Sequence, residues 1–133
     1  MKIDELKSAF ENDTFSKSLG IELLELKERY ARVKIKISDK LLNFFGTGHG
    51  GAIYAVADVA FSLACNADET VKLAVALNTS INYIKKVNPG DILIAEARVI
   101  SSVKRTSITD IIIINEKNEI IAKFVGLAYL FRE

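Results

Sequence analysis

The hydrophobic positions of the chain change their period several times, and each change marks an element. Over residues 1–12 the apolar positions Ile3, Leu6 and Phe10 fall three and four apart, one face of a short amphipathic helix taken to span residues 1–13. Residues 15–20 read as a connector. Residues 21–27 and 29–38 read as strands, the second alternating Ala31, Val33, Ile35 and Ile37 against Arg32, Lys34, Lys36 and Ser38. The alternation then stops. Residues 42–51 form a loop holding Gly46, Gly48, Gly50 and Gly51 and the only histidine, His49. Residues 52–67 are almost all apolar or small, which predicts a buried helix over 50–67.

After the polar break Asp68-Glu69-Thr70, period two returns and predicts four strands over 71–84, 92–101, 105–115 and 120–131. Their separators are the turn Asn88-Pro89-Gly90-Asp91, a turn at 102–104 and a hairpin loop at 116–119. In the first of the four, Leu73, Val75, Leu77, Ile81 and Tyr83 should share one face, and Ala74, Ala76, Asn78, Ser80 and Asn82 the other. The run 111–114 is all isoleucine, so its strand should be central and covered on both sides. One helix set before a run of long strands is an α+β pattern.

Composition narrows the class. At 133 residues, one domain over 1–133 with a real core is expected. A net charge of +1 removes any bulk electrostatic case for nucleic acid. The single cysteine, Cys65, sits in the apolar helix and reads as a buried, inert thiol in a reducing compartment. No signal-peptide core and no uncharged run of about 18 apolar residues is present. A soluble, cytoplasmic protein without membrane contact is expected. One histidine and one cysteine at unrelated positions cannot build a zinc cluster, and no nucleophile elbow, P-loop or dinucleotide fingerprint occurs. Neither a metal nor a cofactor is expected.

The candidate chemistry starts from one charge. Between residues 52 and 67 the only charged side chain is Asp58. Burying a lone carboxylate is costly unless it is paired, hydrogen-bonded or protonated. Asp58 is therefore either a satisfied structural acid or a general base or nucleophile tuned by an apolar site. The loop supplies a complement. Gly50 and Gly51 stand where the helix begins, first-turn amides lack an intrahelical partner, and glycine lets a ligand oxygen approach the backbone. That is how a main-chain oxyanion hole is made. Gly50 and Asp58 are eight residues apart, roughly 12 Å along a helix at 1.5 Å per residue. Donor and attacking group must both lie within about 3 Å of the reacting centre. One chain cannot easily place both there, so the spacing argues for a site shared across a two-fold dimer.

The pattern N-x-x-G-x-x-H-G-G-x-x-x-x-x-x-D, met by Asn43, Gly46, His49, Gly50, Gly51 and Asp58, resembles the hot-dog-fold thioesterases of the phenylacetic-acid-degradation (PaaI-like) type. The resemblance implies an antiparallel sheet wrapped around a central helix. It implies that Asp58 attacks the thioester or activates water, that the Gly50 N–H polarises the carbonyl, and that Asn43 and His49 orient the thioester, with Gly51 beside them. Some such proteins hold water through a Ser or Thr four residues after the acid, here Ser62. Others use a serine on the following strand, where this chain has Ala76 and a substitute in Asn78. Lys104, Arg105 and Thr106 suit the phosphates of coenzyme A. The expected substrate is an acyl-CoA and the expected assembly a homodimer with shared active sites, paired into a dimer of dimers. Two other readings stay open: a non-catalytic acyl-CoA sensor or assembly subunit, and a hot-dog enoyl-thioester hydratase or dehydratase.

Overall fold

A computed structural model describes residues 1–132; the last position of the expected 1–133 domain lies outside the described residues. The N-terminal segment contains two helices. Helix α1 (Ile3–Phe10) buries Leu6 and rests Ile3 and Phe10 on the core. Residues 15–20, expected as a connector, are instead mostly helical: α2 (Thr14–Leu19) is preceded by Asp13, whose carboxylate accepts from Ser16 Oγ at 2.6 Å. Gly20, in the left-handed region at φ +74°, ends it.

Six strands follow: β1 (Glu22–Lys27), β2 (Tyr30–Lys36), β3 (Leu73–Tyr83), β4 (Ile92–Val103), β5 (Thr106–Ile114) and β6 (Ile120–Phe131). They form one sheet in the order β1-β2-β4-β5-β6-β3, every pair antiparallel. Helix α3 (Gly50–Asn66) enters between β2 and β3, and the sheet curls round it so that it packs on all six strands. Alternation supplies the inner surface. Val33 and Ile35 of β2, Leu93, Ala95 and Ala97 of β4, Ile111 and Ile113 of β5 and Phe124 of β6 are fully buried against α3. At Gly126 the ring of Phe61 comes so close that a Cβ would lie 2.5 Å from Cε1. Gly126→Ala is therefore expected to lower stability by about 1–3 kcal/mol through overpacking, measurable as a shift in the denaturant midpoint.

Three expectations change here. In β3 a bulge between Ala76 and Asn78 moves the alternation by one residue. Ala74, Ala76, Thr79, Ile81 and Tyr83 lie on the helix side, opposite Leu130, Ala128, Gly126, Phe124 and Ala122. Leu73, Val75, Asn78, Ser80 and Asn82 lie on the outer side. The turn expected at 102–104 is a two-residue turn at Lys104-Arg105, because β4 stays paired as far as Val103↔Thr106. Strand β5 is interior to the sheet, flanked by β4 and β6, but α3 covers only one of its faces. Ile112 and Ile114 on the other face are half-buried.

Candidate active site

Two buried or half-buried acids follow each other along the chain, and the structure separates them. Asp68 is fully satisfied. It accepts from Arg29 Nε at 2.8 Å, from the Thr70 amide at 2.9 Å and from Thr70 Oγ1 at 2.7 Å. Burial alone would raise its carboxyl, yet the Thr70 and Arg29 donors hold it below the usual carboxylate range. Asp58 is half-buried on α3 with no hydrogen-bond or ion-pair partner among the described residues, and burial pushes its carboxyl up. Burial also pushes the nearby Cys65 thiol up to about 12, which keeps it protonated and unreactive.

The carboxylate of Asp58 opens into a cavity of about 350 Å³ roofed by α1 and α2 and shared with Ser62, one turn further along α3. Ser62 is exposed, and its carbonyl accepts from Asn66 Nδ2 at 2.9 Å. Asn66 also brackets the Ala74 peptide, accepting from its N–H at 2.8 Å and donating to its C=O at 3.1 Å. These bonds fix the C-terminal end of α3 to the start of β3.

The other end of α3 is built from the glycine loop. Asn43 closes that loop on itself. Its Oδ1 accepts from the amides of Phe45 at 2.9 Å and Thr47 at 3.1 Å, and its Nδ2 donates to Thr47 Oγ1 at 2.8 Å. Gly48 passes so near Val87 that a Cβ would lie 2.9 Å from Cγ1. His49 is the N-cap, its Nδ1 accepting from the Gly51 N–H at 2.8 Å. That bond places the imidazole proton on exposed Nε2. Tyr83 Oη donates to the Gly50 carbonyl at 3.0 Å, so the Gly50–Gly51 peptide is held on both sides. The His49 amide donates to Leu41 O at 2.8 Å and the Ala52 amide to His49 O at 3.0 Å. Of the first amides of α3, the Gly50 N–H alone has no partner among the described residues.

Gly50 lines a different cavity, of about 300 Å³, together with Asn43, Thr47, Tyr83, Lys85 and Lys86 among others. Within one chain the structure brings Asn43, His49, Gly50 and Gly51 together at one end of α3, and Asp58 and Ser62 together under the N-terminal helices. It does not join the two groups. Asn78, expected on the same strand face as Ala76, is on the opposite face because of the β3 bulge, exposed on the far side of the sheet from α3.

Lys104 and Arg105 lie at the other end of the sheet. Arg105 Nη1 donates to Tyr129 Oη at 2.9 Å, and Arg132 Nε to the Lys104 carbonyl at 2.8 Å. With Phe131, whose ring meets that of Tyr129 edge-on at 4.9 Å, they line a cavity of about 510 Å³. Thr106 is the first residue of β5, paired with Val103 and Tyr129 beside it. Tyr83 pairs with Ala122 and Leu73 with Phe131, so ten residues of strand, roughly 33 Å at 3.3 Å per residue, separate these cations from the Gly50 end.

Tyr54 and Phe61 pack on Phe124 in the core, while Phe44 and Phe45 stack on each other at the loop tip, 91 % and 78 % exposed. The rings beside Asp58 are Phe10 and Phe15, which carry no motif and come to α3 only through the helical packing of the N-terminal segment. The Tyr83 hydroxyl was equally silent, since its role depends on β3 ending beside the start of α3. Among the described residues no cluster of His, Cys, Asp or Glu is placed to hold a metal, and no helix is long and apolar enough to cross a membrane.

An antiparallel sheet wrapped round one buried helix is the hot-dog fold. Residues 45–122 match the family described as the Thioesterase superfamily. The chain belongs to that superfamily, in its PaaI-like branch, and is a thioester hydrolase. It is 34 % identical over 120 residues, 90 % of this chain and 84 % of the other, to the acyl-coenzyme A thioesterase PaaI of Escherichia coli. The solved structure of the E. coli PaaI protein superposes with a TM-score of 0.89 at 33 % identity, over 94 % of this chain and 89 % of that one. A point variant of the phenylacetic acid degradation protein PaaI from Thermus thermophilus gives 0.85 at 31 % identity, covering 90 % and 100 %. A Streptococcus mutans protein solved with acetyl CoA bound gives 0.79 at 26 % identity, covering 85 % and 90 %.

Proposed function

We propose that this protein is a cytoplasmic acyl-CoA thioesterase, one domain over residues 1–133, whose active sites form between two copies of the chain. The observation that carries the reading is the division of the site. The Asp58 carboxylate and the Gly50 amide are both without partners and lie on one helix, and the two residues line different cavities. A second copy supplies the missing half of each.

Strand β3 is the means. It is an 11-residue strand at the sheet edge, and an exposed edge of that length is a template for pairing with another chain. Two β3 strands paired antiparallel about a two-fold axis set the Tyr83 end of one against the Leu73 end of the other. Because α3 is fixed to β3 at both ends, by Tyr83 and by Asn66, the two helices run antiparallel as well. With the two-fold axis passing near Tyr54, whose hydroxyl bonds Thr79 at the middle of β3, Asp58 of one chain stands by Gly50 of the other. The same pairing brings the Lys104–Arg105–Arg132 cluster toward the opposite chain's glycine loop. Two such dimers associate as a dimer of dimers.

In this site the thioester carbonyl oxygen accepts from Gly50 N–H at the positive end of α3. Asp58 adds to the carbonyl carbon, or takes a proton from a water that adds, with Ser62 as a hydroxyl partner for that water. The tetrahedral intermediate collapses by breaking C–S, and where Asp58 itself has added, water then hydrolyses the resulting mixed anhydride to the free acid and restores the carboxylate. The thiolate leaves without strong acid assistance, since thiols titrate near 8.5. Tyr83, His49 and Gly51 hold the peptide that follows the donor, Asn43 keeps the loop in shape, and the exposed Nε2 of His49 faces outward for substrate. Tyr129, Phe131 and the three cations suit a phosphorylated nucleotide, with Thr106 at their edge. Arg105→Ala is expected to raise KM for acyl-CoA about tenfold with little change in kcat, an effect that shrinks as ionic strength rises. The defining test is release of free thiol from acyl-CoA by the wild-type protein beside Asp58→Asn.

A further inference from the structure

The Asp58 cavity has features that hydrolysis alone does not require. Its walls come from two sources. Val59 and Leu63 belong to α3, whereas Leu6, Ala9 and Phe10 belong to α1, and Phe15 closes it from α2. Its only other charged group is Asp13, held by Ser16 Oγ at 2.6 Å. No lysine or arginine lines it. The cations lie elsewhere, Lys85 and Lys86 at the Gly50 cavity and Lys104, Arg105 and Arg132 at the far end of the sheet. A thioester of coenzyme A is apolar at one end and carries phosphates at the other. Two carboxylates in apolar walls repel the phosphate end, and the cationic cavities attract it.

We propose that the chamber beneath the N-terminal helices takes the acyl group, with Ala9, Phe10 and Phe15 setting its length and Asp13 excluding acyl groups that end in a carboxylate. This rests on the thioesterase reading of Asp58 and adds the substrate class to it. A volume of about 350 Å³, divided by the ~30 Å³ a water-sized group occupies in a liquid, accommodates at most roughly twelve non-hydrogen atoms. That is an uncharged acyl group near the size of octanoyl, or a single ring on a short arm.

The test is the profile of kcat/KM along straight-chain acyl-CoAs from acetyl to palmitoyl, for the wild-type protein, Ala9→Trp and Phe10→Ala. Wild type should rise to a maximum about the length of octanoyl and fall beyond it. Ala9 is exposed and lines the chamber, so a Trp there adds bulk at its wall without disturbing the core. The octanoyl-to-acetyl ratio should then drop about tenfold or more, the scale of discrimination a hydrophobic pocket makes over a methylene or two. Phe10→Ala should move the maximum to longer chains. Should Phe10→Ala fail to fold, Ala9→Trp carries the test alone. Profiles that match wild type, with turnover still dependent on Asp58, overturn the acyl chamber and leave the thioesterase reading standing. No turnover of any chain length by wild type overturns both.

Discussion

Gly50→Pro is expected to lower kcat about 10²–10³-fold, the loss seen when one oxyanion donor is removed, while the protein melts where the wild type does. Proline deletes the N–H and little else at this position. Gly50 is the first residue of α3, the place where proline is favoured because its amide has no intrahelical partner. His49 before it is already extended, at φ −69° and ψ 134°, the conformation a following proline demands. A Cβ on Gly50 would meet the Tyr83 ring at 3.5 Å, an ordinary contact. The carbonyl that Tyr83 holds and the Gly51 bond to His49 are both kept. The measurement is kcat on acyl-CoA with a melting curve on the same preparation. A variant that melts normally and turns over normally would remove the Gly50 amide from the mechanism.

Asp58→Asn should abolish turnover, by several orders of magnitude in kcat, and should not weaken the fold. Asparagine keeps the shape but is neither a nucleophile nor a useful base at neutral pH. The stability sign follows from burial. Asp58 has a folded-state pKa raised above its unfolded value, so the native state binds the proton more tightly. Its favourable contribution is present when the acid is protonated and is lost as pH rises through the raised value. At neutral pH the charged carboxylate therefore works against folding, and Asp58→Asn should melt at or above the wild-type temperature, a trade of stability for activity. The same shift predicts that the acid limb of the wild-type kcat/KM profile lies above the ordinary aspartate pKa, because only the carboxylate works.

Asp58 was legible in the sequence because a charge in a wholly apolar helix violates the pattern around it. Gly50 was legible because the glycine pair stood where a helix had to begin. Their separation along one helix already argued for a second chain. The faces of β3 were not legible, since one extra residue near Leu77 shifts the alternation and nothing in a run of alternating small and apolar residues marks it. That shift is why Asn78 is on the outer side. Helix α2 was hidden because six residues are too few to establish a period. The aromatic wall at Asp58 was hidden for a different reason. Phe10 and Phe15 reach α3 by tertiary packing of the N-terminal helices, which residue spacing does not encode. Arg132 and Phe131 join Arg105 only because β6 ends beside the Lys104-Arg105 turn.

An active site that takes Asp58 from one chain and Gly50 from the other can be rebuilt from two inactive variants by mixing their subunits. Asp58→Asn and Gly50→Pro are each prepared, unfolded together in equal amounts and refolded. Half of the resulting dimers carry one chain of each kind. If the site is shared, one of the two sites in such a dimer has Asp58 and Gly50 both intact, and the mixture regains about a quarter of wild-type activity. If both groups act within one chain, every site keeps one defect and the mixture stays at the residual level of the separate variants, which would refute the shared site.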